Sequence, residues 1–207
     1  MGRDLRRSVI AFTSVAAAFA FLAVAAIPTL DRPLAGWVFT HPRGGGIWET
    51  GPALLDWLSL KFISDFLLGP ILMIAGTVLL VLRSTRRNGW MSLYVGAVQL
   101  TCVVVADLLR PLIGRLPPRE AIAGVDTWLA GGTSFPSEHT AFYAGLFFPL
   151  MLIAPRWTFL FAIPPLFIAA SQVLENEHYL SDISAALALA ALVSGGLAFI
   201  LKRAEDF

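Results

Sequence analysis

The stretch SFPSEHTAFYAGLFFPLMLIA, residues 134–154, decides how this chain folds. Its last sixteen residues, from His139 to Ala154, are almost entirely apolar, as a helix in lipid must be. Its first seven are Ser134, Phe135, Pro136, Ser137, Glu138, His139 and Thr140. Proline followed by serine is a helix-start signal: Ser137 is a good N-cap and Pro136 stands just outside. The segment therefore reads as a membrane helix that begins at a titratable imidazole, a hydroxyl and a carboxylate. Polar groups at that depth call for a chemical reason.

The rest of the chain supports a membrane setting. Of 207 residues, 57% are hydrophobic and 14% charged, and the mean hydropathy is +0.74. A soluble domain of this length needs more polar surface, so the expected class is an all-α integral membrane protein. Six segments qualify or nearly qualify as spans: 9–27, 62–82, 90–109, 139–154, 157–174 and 183–201. The fourth is short, and Pro164-Pro165 is expected to kink the fifth. Residues 51–60 read as a helix lying in the interface, after a loop marked by Gly44-Gly45-Gly46. Ala23-Val24-Ala25 resembles a small-residue cleavage site, so the first span has an alternative reading as a signal peptide, although its apolar run is long for one. No internal repeat appears, and 1–207 is expected to be one membrane domain.

Orientation follows from short-loop cations. Arg3, Arg6, Arg7, Arg83, Arg86, Arg87, Arg156, Lys202 and Arg203, nine of the 15 basic residues, fall on one side if the spans alternate. That side is expected to be cytoplasmic and to hold both termini. The net charge of +1 gives no sign of nucleic acid as a partner. The single cysteine, Cys102, lies in an apolar run and reads as packing, with no disulfide possible inside the chain.

With alternating spans, three polar segments share the non-cytoplasmic face: 107–120, 134–140 and 171–182. The first supplies Arg110, Arg115 and Arg119, fixed charges suited to phosphate oxygens. The second is a helix N-terminus, where unpaired N–H groups and the dipole favour an anion, with His139 in its first turn. In the third, His178 and Asp182 are four apart and would share a helix face. A carboxylate on one ring nitrogen fixes the tautomer and leaves the other nitrogen more nucleophilic. Together these suit phosphoryl transfer, one histidine attacking phosphorus and the other moving the proton of the leaving oxygen. Taken singly each has a plainer reading: a packing contact, a helix cap, solvated arginines. A zinc site is poorly supported, because the chain has three histidines and His41 is remote from the other two. Two further charges read as local pairs: Asp107 with Arg110, and Asp65 with Lys61.

In order and spacing, the three segments resemble the signature motifs of the type 2 phosphatidic acid phosphatase superfamily: K-x6-R-P over residues 110–118, P-S-G-H over 136–139 and S-R-x5-H-x3-D over 171–182. The resemblance implies a six-helix membrane enzyme with no cofactor and no metal. Its partners would be the bilayer and a phosphorylated lipid, cleaved through a phosphohistidine. By position, His178 would be the nucleophile, Asp182 its orienting carboxylate and His139 the general acid and base. Arg110, Ser137, Glu138 and Gln172 would fall at the phosphate. A bacterial inner membrane, with the site facing outward, is the implied location; the oligomeric state is left open.

The departures from the motif are specific. Its first arginine falls on Pro117, its glycine on Glu138 and its second arginine on Gln172. Two of three phosphate cations are replaced, and a carboxylate stands by the anion hole. At roughly 4 Å that repels a like charge by about 1 kcal/mol in water and by several times more in a less polar site. Either Arg115 or Arg119 is expected to compensate, or the pocket takes a different phosphorylated lipid. The alternatives are a lipid binder that hydrolyses nothing and a lipid phosphotransferase.

Overall fold

The structure, a computed structural model, describes residues 2–41, 45–81, 83–121 and 126–205. Gly44 of the expected glycine loop and Leu82 of the expected second span lie outside the described residues. Eight α-helices make up the described framework: α1 Gly2–Thr29, α2 Asp31–Thr40, α3 Ile47–Leu58, α4 Leu68–Val81, α5 Arg86–Ile113, α6 Glu138–Ile153, α7 Thr158–Leu174 and α8 Leu180–Glu205.

Four of the described segments are long and apolar enough to cross a membrane, lying in α1, α5, α7 and α8. The other two expected spans are shorter. The helix of the second is α4, 14 residues long, because residues 62–67 form turns instead of its first two turns. The 16 residues of α6 rise only about 24 Å, against roughly 30 Å of hydrocarbon. Pro164 and Pro165 lie inside α7, which remains one helix. The expected interfacial segment is α3, a separate helix before the second span.

Local chemistry explains the ends that matter. The Ser137 hydroxyl accepts from the Thr140 N–H and caps α6 as expected. At the end of α5, Gly114 adopts φ +61° and donates its N–H to the Arg110 carbonyl at 2.8 Å. That is the left-handed stop which glycine supplies without strain.

The core is the group of α5, α6 and α8, with Val98, Cys102, Ala106, Ala141, Ala144, Ala186 and Ala190 fully buried among them. Small residues let these backbones approach, the usual route to tight packing where lipid offers no hydrophobic drive between helices. α1 lies along α8, α7 along α6, and α4 along α5. The α4–α5 seam is the closest: a Cβ on Gly76 would meet the Gly89 carbonyl at 2.8 Å, and one on Gly96 the Gly69 carbonyl at 2.7 Å. Tyr94 ties α5 to α8 through a 2.7 Å bond to the Ser194 carbonyl.

This arrangement brings the end of α5, the start of α6, the end of α7 and the start of α8 to one end of the bundle. Ser137 N–H donates to the Asp182 carbonyl at 3.2 Å, so the second and third motifs meet directly. Arg110 reaches the segment before α6 through Thr133, its Nε 2.7 Å from the Thr133 carbonyl.

Candidate active site

The loop after α5 folds back on itself before α6 begins. Leu116 N–H donates to Thr127 O at 2.8 Å, Ser134 N–H to Arg115 O at 2.9 Å and Ala130 N–H to Gly114 O at 2.8 Å. Gly132 is what permits the fold-back, since a Cβ there would lie 2.2 Å from the Arg115 carbonyl oxygen. The result delivers Arg115 to the interior, 2% exposed.

Arg115 is the centre of a buried polar network. Its guanidinium contacts the Asp182 carboxylate, lies 2.7 Å from Asp31 and donates to Ser181 Oγ at 2.6 Å. It is stacked between Trp128 and Tyr179, 4.3 and 4.0 Å from the two ring centroids. Asp31, the first residue of α2, also takes the Ser181 N–H at 3.0 Å. Burying a charge costs several kcal/mol unless it is paired and hydrogen-bonded, and here Asp31, Ser181 and Asp182 take both terminal nitrogens, while Nε has no partner among the described residues. So of the two arginines expected to compensate, Arg115 supports Asp182 rather than facing an open site. Arg119 turns away to exposed pairs with Glu177 and Glu120.

Asp182 is fully buried and accepts from Ser134 Oγ at 2.5 Å and from the Tyr179 N–H at 2.9 Å. His178 Nδ1 is 3.6 Å from its Oδ2 and 3.3 Å from Ser134 Oγ. The expectation that His178 and Asp182 share a helix face needs correction: α8 begins at Leu180, and His178 stands in the preceding turn. The contact forms because two backbone N–H groups, of Glu177 and His178, bond the Gln172 carbonyl at 3.0 and 3.1 Å. Gln172 was expected at the phosphate. Its side chain is buried, and what it visibly supplies is that carbonyl.

The other histidine also has a carboxylate. His139 Nε2 lies 3.3 Å from Asp56 Oδ2, and the Tyr143 hydroxyl donates to Asp56 Oδ1 at 2.7 Å. Ser59 Oγ, at 3.1 Å, adds to the chain of hydroxyls. Burial pushes the Asp56 carboxyl up, but the hydrogen bonds from His139 and Tyr143, with the charges of His139 and Lys61, hold it below its ordinary 3.8. Near the end of α7, burial and the charge of Glu49 raise Glu175, while His139 acts in the opposite direction. A cavity of about 520 Å³ opens there, lined in part by Glu49, Arg119, Glu175 and Glu177.

Glu138, at the first position of α6, is met by two cations. Lys61 Nζ is 3.0 Å from Oε1 and Arg110 Nη1 is 3.5 Å from Oε2. Lys61 also makes its expected pair with Asp65. Asp107 does not pair with Arg110: it is exposed, while Arg110 is taken by Thr133 and Glu138.

Asp31, Asp56 and the second contact of Lys61 are outside the sequence motifs. Their only signal was a charged residue standing at the edge of an apolar run, which also describes ordinary interfacial charges.

The chain is 30% identical over 145 residues to a lipid A 1-phosphatase of Rhizobium etli, a match covering 60% of this chain and 62% of the relative. It thus spans less than two thirds of that protein's length. The crystal structure of a transmembrane PAP2-type phosphatidylglycerolphosphate phosphatase from Bacillus subtilis superposes with a TM-score of 0.58 at 20% identity, over 94% of this chain and 96% of the other. That likeness shows a shared fold. The family model of the PAP2 superfamily matches residues 89–205, more than half of the chain and the stretch that holds the three segments, so this chain belongs to the PAP2 superfamily.

Proposed function

We propose that this chain is a membrane lipid phosphatase that hydrolyses a phosphomonoester or pyrophosphate through a phosphohistidine, without a metal ion. The observation that carries the reading is the pair of carboxylate-backed imidazoles, His178 on Asp182 and His139 on Asp56, from segments joined by the Ser137–Asp182 backbone bond. Each has the partner its part requires. With Nδ1 turned to Asp182 and Ser134, Nε2 of His178 is the nitrogen left to attack.

In the first step the Nε2–P bond forms and the bond from phosphorus to the leaving oxygen breaks, His139 giving that oxygen a proton. In the second, water attacks phosphorus as His139 takes its proton, and the N–P bond breaks. Asp182 holds the first ring in one tautomer, and Asp56 does the same for the second. The N-terminus of α6, capped by Ser137, offers dipole and N–H groups to the phosphate oxygens, with Arg110 at its edge. The lipid tail stays in the bilayer while the head group meets the loops. By the distribution of loop cations the site faces the non-cytoplasmic side of the membrane.

The test is phosphate release from purified protein across a panel of phosphorylated lipids, with His178→Ala run beside the wild type. Release is expected from at least one lipid, unchanged by chelators and reduced to background in the variant. Full activity in His178→Ala removes the mechanism. Tight lipid binding with no release from any substrate replaces it with a lipid-binding role.

A further inference from the structure

One charged cluster at the site is bonded directly to neither histidine. Lys61 lies between α3 and α4, outside residues 89–205, yet its side chain is only 5% exposed. Besides its neighbour Asp65 it takes Glu138, 77 positions away, and its ammonium lies 5.4 Å from the centroid of the Phe142 ring. Arg110 closes on the other oxygen of the same carboxylate. A lysine at a membrane edge ordinarily extends its charge to water, and a local pair with Asp65 is compatible with that. Turning inward to a second carboxylate is not.

Two cations therefore converge on the two oxygens of one carboxylate at a helix N-terminus, beside His139. That is how a protein holds a bound anion. Here the anion belongs to the chain itself, on the residue that stands where the family motif has glycine. Moreover, the two motif arginines that the chain lacks, at Pro117 and Gln172, leave the site short of positive charge.

We infer that Lys61 is the phosphate-binding cation this chain uses in place of a motif arginine, and that Glu138 is a resident anion the incoming phosphate displaces. The inference rests on the lipid phosphatase reading. Lys61 and Arg110 against Glu138 and Asp65 sum to zero formal charge, so a phosphate dianion added to the closed cluster would leave it at minus two. Turning the Glu138 side chain outward frees both cations for the phosphate, while its backbone remains the first residue of α6. Glu138 thereby sets the affinity that any phosphorylated substrate must exceed, since every substrate competes with it.

The test uses the full-length protein in detergent, with orthovanadate as the probe and lipid turnover measured alongside. The decisive comparison is Glu138→Gln against the Lys61→Met/Glu138→Gln double variant, because neither leaves a buried carboxylate at position 138 unpaired. Glu138→Gln is expected to bind vanadate more tightly than wild type, and the double variant more weakly than Glu138→Gln by about tenfold or more. The same change is expected in KM for lipid, with kcat altered less, and Lys61→Arg in place of Met is expected to restore binding. Equal vanadate affinity in Glu138→Gln and the double variant would mean that Lys61 only neutralises Glu138, and overturns the inference. Wild-type protein that releases phosphate while those two variants bind alike sinks Lys61 alone. Wild-type protein with neither phosphate release nor vanadate affinity removes the phosphatase reading, and this inference with it.

Discussion

Asp56 shows how much one side chain adds at this site. It comes from α3, a helix outside the motif-bearing part of the chain, and its carboxylate is shared by the His139 ring and the Tyr143 hydroxyl. As a positioning residue it should matter to the proton-transfer step more than to lipid binding. Asp56→Asn is expected to lower kcat by roughly tenfold or more with KM little changed, and Asp56→Glu to recover part of the loss. Steady-state kinetics on one responsive lipid checks both. The same carboxyl makes a stability prediction. Because its folded value lies below the ordinary 3.8, its contribution is fully present above that pH and is lost as pH falls through the lowered value. The difference in melting temperature between wild type and Asp56→Asn should thus be full at neutral pH and shrink below about pH 4. A difference that grows with acid would contradict the assigned hydrogen bonds.

Pairs of helices decide whether those side chains meet. The seam between α4 and α5 is made of glycines in two facing pairs, Gly69 with Gly96 and Gly76 with Gly89. Any side chain there presses on backbone, which cannot yield as a flexible side chain can. Gly96→Leu is expected to destabilise the protein by about 1–3 kcal/mol, read as a lower melting temperature in detergent. Gly36→Leu is the control: a Cβ there meets nothing within 4 Å, and little change is expected. Because residues 62–67 lead from α3 into α4 past the site, loss of the seam should also reduce Lys61-dependent binding.

The molecule as a whole gathers four helix ends and their buried charges at one end of the bundle, and its orientation in the bilayer is open to direct test. A cysteine at Leu129, exposed in the loop before α6, is expected to react with a membrane-impermeant maleimide added outside intact cells. A cysteine at Trp157, exposed at the turn into α7, is expected to react only after permeabilisation. Cys102 is fully buried and should contribute little background. The reverse pattern would turn the site toward the cytoplasm.

Sequence by itself determined which segments are apolar helix, where α6 begins, and which residues of three motifs share an end of the bundle. These are local matters: hydropathy sets the helices, and a serine and a proline set the start of α6. Its errors were at edges, as where residues 62–67 are apolar enough to be helix but form turns, or where His178 precedes the helix rather than joining it. Tertiary structure alone decided the partners. Arg115 goes to Asp31 and Asp182 because the loop folds back over Gly132. Asp56 goes to His139, and Lys61 to Glu138, because α3 and the turn after it pack against α6. A charge at the edge of an apolar run has many possible partners in sequence, and only the packing of the helices brings one of them within hydrogen-bonding reach.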